Sequence, residues 1–157
     1  MKAEYINPFI ESICHIFGTM LDTALQRKQL RASSAGFERQ DGALTSVIGI
    51  SGEASGVVAL VFPRSTALTL AGRFLSTDLT EINGEVTDAL AELANMVAGS
   101  AKAKFNLDPP PELGLPTVIE GRDYQMRYPT KSAWIAVPFS SDAGDFVMHI
   151  SFSTEKG

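Results

Sequence analysis

Apolar positions follow two different periods along this chain, and the switches between them mark out its elements. Phe9, Ile13, Ile16, Phe17, Met20, Ala24 and Leu25 recur at three- and four-residue spacing, which predicts an amphipathic helix running to about Leu25. Asn7 suits the N-cap of that helix and Pro8 its first position, where a missing N–H costs nothing. The polar segment Gln29 to Phe37 reads as a strand of mixed exposure. Leu44 to Ser51 and Val57 to Phe62 are rich in β-branched and aromatic residues, and the segment Gly52-Glu53-Ala54-Ser55-Gly56 between them reads as a hairpin turn. Pro63 ends the second strand. Ser65 is then expected to cap a short helix whose buried side is Leu68, Ala71, Phe74 and Leu75.

The longest helical pattern runs from about Gly84 to Lys104. Pro109-Pro110-Pro111 cannot continue a helix or sit inside a sheet, so Asn106 to Pro116 is expected to be a stiff connector. Val118-Ile119, Tyr124 to Tyr128, Ala133 to Phe139 and Phe146 to Phe152 read as further strands. Gly144 supplies the turn between the last two, within Ser140 to Asp145. Phe146, Met148, Ile150 and Phe152 alternate, so that strand shows one face to a core. This order of elements predicts an α+β fold, with long helices packed on one face of an antiparallel-rich sheet, in one domain spanning residues 1–157.

Composition narrows the function. A net charge of −5 argues against nucleic acid or an anionic membrane as the main partner, because both recruit clustered Lys and Arg. Cys14 is the only cysteine, which excludes an intrachain disulfide and a thiolate metal cage. It reads as a small buried hydrophobe. Met1-Lys2-Ala3-Glu4 has an acid where a secretory signal would be apolar, and no stretch approaches the roughly 20 apolar residues that span a bilayer, so a cytoplasmic protein is expected. His15 and His149 stand apart from any acid or cysteine arranged for a metal, and each reads as a structural or surface histidine. Neither a glycine-rich phosphate loop nor a G-x-S-x-G elbow is present, and no cofactor of the chain's own is expected.

One segment carries a candidate chemistry. At about 100° per residue, Val86, Leu90, Leu93, Val97 and Ala101 fall on one side of the long helix. Asp88, Glu92, Asn95 and Gly99 fall in a narrow row opposite, flanked by the small residues Ala91 and Ala98. That row is poor for stability. Asp88 and Glu92 repel one turn apart, Asn95 costs roughly 0.7 kcal/mol against alanine inside a helix, and Gly99 about 1 kcal/mol. Local rules broken on an exposed face mark a surface worth suspecting. On spacing alone, a plain solvated face remains the more economical reading.

The segment resembles the active-site helix of the CheC/CheX/FliY phosphatases of chemotaxis response regulators. Their pattern of Asp or Ser, three residues, Glu, two residues, Asn is met by Asp88, Glu92 and Asn95. Leu93 to Lys102 and the opening Asn7-Pro8-Phe9-Ile10-Glu11 are similar to the family as well. Pro116 stands for the family's downstream proline, somewhat closer to the helix than is usual. CheC and FliY members carry two such motifs. Here the first helix has Glu11 but Cys14 where an Asn would stand, which points to the CheX branch.

The resemblance implies hydrolysis of the aspartyl-phosphate of a CheY-like receiver, with Asn95 orienting the attacking water and Glu92 contacting the receiver's lysine. Asp88 and Pro116 would support partner binding, and Gly99 would either leave room for a receiver loop or serve as a packing point. The receiver would supply the divalent metal, and two copies of the chain would pair through their sheets. A non-catalytic receiver-binding or flagellar-switch adaptor is the alternative within the same superfamily. An assembly protein with a merely solvated helix face is a third reading.

Overall fold

The computed structural model describes residues 3–33, 37–38, 44–121, 125–126 and 133–154. Helix α1 (Ala3–Met20) leads into three short strands, β1 (Gln26–Arg27), β2 (Arg31–Ser33) and β3 (Phe37–Glu38). The hairpin β4 (Leu44–Ser51) and β5 (Ala54–Phe62) is followed by α2 (Arg64–Leu75) and α3 (Gly84–Lys104). Then come β6 (Glu112–Leu113), β7 (Thr117–Glu120), β8 (Gln125–Met126), β9 (Trp134–Ser140) and β10 (Phe146–Thr154). An eight-stranded antiparallel sheet has the order β1-β9-β10-β5-β4-β6, with β2 also on β9 and β7 also on β4, while β3 and β8 pair separately.

Strand alternation puts one set of side chains under the helices. Leu44, Ile48 and Ile50 of β4 face the same core as Val58, Leu60 and Phe62 of β5. Ile135, Val137 and Phe139 of β9 and the predicted Phe146, Met148, Ile150 and Phe152 of β10 complete that face. Phe146 stacks on Phe17 and Phe139 with ring centroids 5.4 and 5.3 Å apart, joining α1 to the sheet. The α+β arrangement, with helices on one face of an antiparallel sheet, is therefore observed. Helix α3 lies at the centre of the helical layer, against α1, α2, β4, β5, β6 and β7.

Several local expectations are corrected. Helix α1 already includes Ala3, so Asn7 and Pro8 lie inside it rather than at its start. Proline forfeits one backbone bond there. The helix extends past it because Ile6 is buried and the Tyr5 ring sits 5.5 Å from Phe152, its hydroxyl 3.1 Å from Thr154 Oγ1. The other end stops at Met20, where Asp22 turns left-handed (φ 49°) and the Thr23 N–H donates back to the Phe17 carbonyl at 3.0 Å. Met20, 50% exposed, and the exposed Ala24 are thus off the core stripe.

Pro63, not Ser65, stands at the N-cap of α2, without a side-chain cap bond. Its buried residues are Thr66, Ala67, Leu70 and Ala71, and Leu75 is on the surface. The proline connector holds strand β6, formed just past Pro111, where backbone N–H groups are available again. The hairpin turn is only Gly52-Glu53, because Ala54 is buried and Ser55 and Gly56 already pair with β10. Of the Gln29 to Phe37 strand, Arg31–Ser33 is realised as β2 and Phe37 opens β3; residues 34–36 lie outside the described residues. Of Tyr124 to Tyr128, only Gln125 and Met126 are described, as β8.

At Gly56 of β5 the backbone of β10 leaves no room for a side chain: a Cβ there would run into the Ser151 carbonyl oxygen and come within 2.9 Å of the Phe152 Cα. Gly49 of the neighbouring strand, which pairs with Val57, has nothing within 4 Å of a Cβ position. Gly56→Ala is expected to lower unfolding free energy in urea by about 3 kcal/mol, with Gly49→Ala within about 0.5 kcal/mol of the parent. Equal effects at the two positions would contradict this register.

Candidate active site

The orientation of α3 is set at several points. Asn83 caps it, its Oδ1 accepting from the Val86 N–H at 3.1 Å. Glu85 in the first turn and Lys102 and Lys104 in the last complement the helix dipole. Val86, Leu90, Leu93, Val97 and Ala101 are buried, as their spacing predicts, and Ala89, Ala94 and Ala98 join them. Ala98 is therefore part of the packed side rather than a clear flank of the polar row. Buried Ser46 Oγ of β4 donates to the Leu90 carbonyl at 2.8 Å, pinning the helix to the sheet. Lys104 Nζ lies 3.9 Å from Glu11 Oε2, tying its far end to α1.

With that side held down, the opposite row faces out. Asp88 and Glu92 are exposed; Asn95 and Gly99 are half-buried. None of Asp88, Glu92 or Asn95 has a hydrogen bond or ion pair with another described residue. The Asn95 carboxamide keeps its two donors and its acceptor oxygen uncommitted, with a free carboxylate one turn before it. A Cβ at Gly99 would meet Leu113 Cδ1 of β6 at 3.8 Å, ordinary contact, so internal packing tolerates more than glycine there. Pro116 is half-buried just ahead of β7, a strand that packs along α3.

The corresponding positions on α1 are occupied differently. Glu11 is paired with Lys104, and Cys14 is half-buried, with burial pushing its thiol above the ordinary range against a smaller opposing pull from Arg27. Such a thiol is a weak nucleophile and reads as packing. Among the described residues no group of three or more His, Cys, Asp or Glu is placed to hold a metal ion. No described helix is long and apolar enough to cross a membrane.

The sequence profile described as chemotaxis phosphatase CheX matches residues 44–140, which include the whole of α3. The chain belongs to the CheX family. Its fold is similar to that of a CheC-like superfamily protein from Shewanella sp. PV-4, at 26% identity over 98% of this chain and 99% of that one, with a TM-score of 0.85. It is also similar to the chemotaxis protein CheX of Vibrio vulnificus, at 29% identity, 96% and 100% coverage and a TM-score of 0.83. A CheX-CheY-BeF3-Mg2+ complex from Borrelia burgdorferi shares the fold at 18% identity, 96% and 99% coverage and a TM-score of 0.75. No curated protein matches the sequence.

Two surface residues bordering the CheX row escaped sequence reading. Leu115 is 90% exposed between Gly114 and Pro116, and Leu75 is 37% exposed where the helical pattern predicted burial. Leu115 does carry a local signal, since a lone leucine between glycine and proline belongs to no apolar period.

The titration of His149 is lowered to about 4 by burial first and the Arg31 charge second. It lies on the sheet face away from the helices, in a cavity of about 340 Å³ shared with Lys28, Arg31 and Asp145. A histidine harder to protonate in the folded chain takes its proton more readily once unfolded. Folding stability is therefore complete above pH 6.5 and declines as pH falls toward 4, by up to about 3 kcal/mol. Urea melts across that window should show the decline in the parent and a flatter profile in His149→Gln; the same slope in both would overturn the assignment.

Proposed function

We propose that this CheX-family chain hydrolyses the aspartyl-phosphate of a CheY-like receiver domain, with Asn95 orienting the attacking water and Glu92 meeting the receiver's active-site lysine. The observation that carries this reading is the row on α3: an uncommitted amide and an uncommitted carboxylate one turn apart, turned outward on a helix fixed to the sheet. The complex of CheX with CheY from Borrelia burgdorferi supports a receiver as the partner.

The chemistry asks little of such a chain. An acyl phosphate is already reactive, and the receiver brings its own divalent metal and lysine. What it lacks is a water held in line behind phosphorus. When that water attacks, the P–O bond to the aspartyl carboxyl breaks, the carboxylate is restored and inorganic phosphate leaves with the water's oxygen. Asn95 can accept a hydrogen bond from the water through its amide oxygen while its NH2 donates to a phosphoryl oxygen, the water's protons leaving with the phosphate, and it adds no charge that would repel phosphate. Glu92 would be repelled by the same phosphate unless it met a cation, so its contact with lysine sets the register of docking. Asp88 extends the acidic edge, and Gly99 and Pro116 border the surface against which the receiver sits. Pairing of two copies through the edges of the large sheet belongs to the same proposal.

Phosphate release from a phosphorylated CheY-type receiver is the test. Asn95→Ala should lower turnover at least a hundredfold while changing receiver affinity less than about threefold. Activity near the parent's would remove the assignment, and tight binding without turnover in the parent would instead make the chain an adaptor. Glu92→Ala should raise KM and flatten the dependence of association on salt. Unchanged affinity and salt response would speak against the lysine contact.

A further inference from the structure

Large apolar side chains exposed to water are few among the described residues: Met20, Leu30, Leu75 and Leu115. Two of the four border the α3 row, one at each end. Leu75 lines a groove of about 500 Å³ between α2 and α3, together with Phe74, Glu85 and Asp88. Leu115 follows by two residues the Leu113 whose Cδ1 lies 3.8 Å from the Cβ position of Gly99, so its Cα stands at most about 7 Å from that of Leu113. Elsewhere a 90% exposed leucine loses nothing by replacement with a polar residue, and packing offers no reason for it here.

Resting on the phosphatase reading, we infer that Leu115 and the Leu75 groove are two apolar anchors that seat the receiver over Asn95. Interface size supports the span. A specific partner covers about 800 Å² of each surface, a patch of roughly 16 Å radius. Centred on Asn95, such a patch reaches Asp88, about 10 Å along the helix and on the same groove as Leu75, and Gly99, about 6 Å the other way and beside Leu113. Charge points to the same occupant. Glu85, Asp88 and Glu92 make the groove end acidic, which suits a receiver surface bearing lysine beside apolar side chains, while Lys102 and Lys104 lie at the other end. Apolar anchors flanking a polar centre supply affinity, while the polar row between them sets register.

The two anchors differ in what they have left to bury. Leu115 is nearly bare and gains most on docking, whereas Leu75 is already two-thirds covered. Both contacts exist before and during reaction, so they change association and leave saturated turnover alone.

The test titrates the CheY receiver of the same genome, loaded with beryllofluoride and Mg2+, against the parent and the variants Leu115→Ser, Leu75→Ser, the pair, and Leu30→Ser as an exposed-leucine control beside β2. Leu115→Ser should weaken binding about tenfold, Leu75→Ser about threefold and the pair about thirtyfold, with Leu115→Met and Leu30→Ser close to the parent. Turnover at saturating phosphorylated receiver should be unchanged in all of them. Parent-like affinity in the pair, while Asn95→Ala still abolishes turnover, would overturn the anchors and leave the phosphatase reading standing. A parent chain that neither binds nor dephosphorylates the receiver would overturn both.

Discussion

Burial of one side of α3 against the sheet decides which residues the other side offers to a partner. Val86, Leu90, Leu93, Val97 and Ala101 lose their contact with water over β4 and β5, and Ser46 holds the Leu90 carbonyl from below. A helix secured in this way cannot rotate without exposing that seam, at a cost of about 1.5–3 kcal/mol for each large side chain. The polar row is therefore carried on a backbone that is already ordered, and only its side-chain rotamers remain to be fixed on association.

The sheet supports this from beneath. The hairpin β4–β5 and the pairing of β10 with β5 place strands under the helical layer, and the near approach at Gly56 leaves no slack in their register. Aromatic contacts among Phe17, Phe62, Phe139 and Phe146 join α1 to the same sheet, with Phe62 and Phe146 centroids 5.1 Å apart. Lys104 and Glu11 close the layer between α1 and α3. What the fold supplies in this chain is a ridge on which Asp88, Glu92 and Asn95 have no hydrogen-bond or ion-pair partner among the described residues.

Legibility in the sequence followed the strength of local signals. Helix α3 was readable to its ends because an uninterrupted apolar period runs from Val86 to Ala101, with proline soon beyond. Strands β4, β5 and β10 were readable from β-branched runs and clean alternation. The Asn7-Pro8 pair misled, since a local punctuation rule yielded to burial of Ile6 and the ring contacts of Tyr5. Leu75 misled for the opposite reason: it keeps the helical period, but α2 ends there and nothing covers it fully. The polar row could be placed on the outer face from spacing, and its meaning came from family likeness. That Asp88, Glu92 and Asn95 have no partner among the described residues required coordinates.

The central claim is that the Asn95 amide enters a receiver's phosphorylation pocket. Its side-chain NH2 resonance, followed in 15N-labelled chain during titration with beryllofluoride-loaded receiver, reports on this directly. The account predicts a large shift and slowed solvent exchange of that one side-chain signal at saturation, absent when the receiver's phosphorylatable aspartate is replaced by alanine. An Asn95 signal that stays unmoved while the complex forms would contradict it.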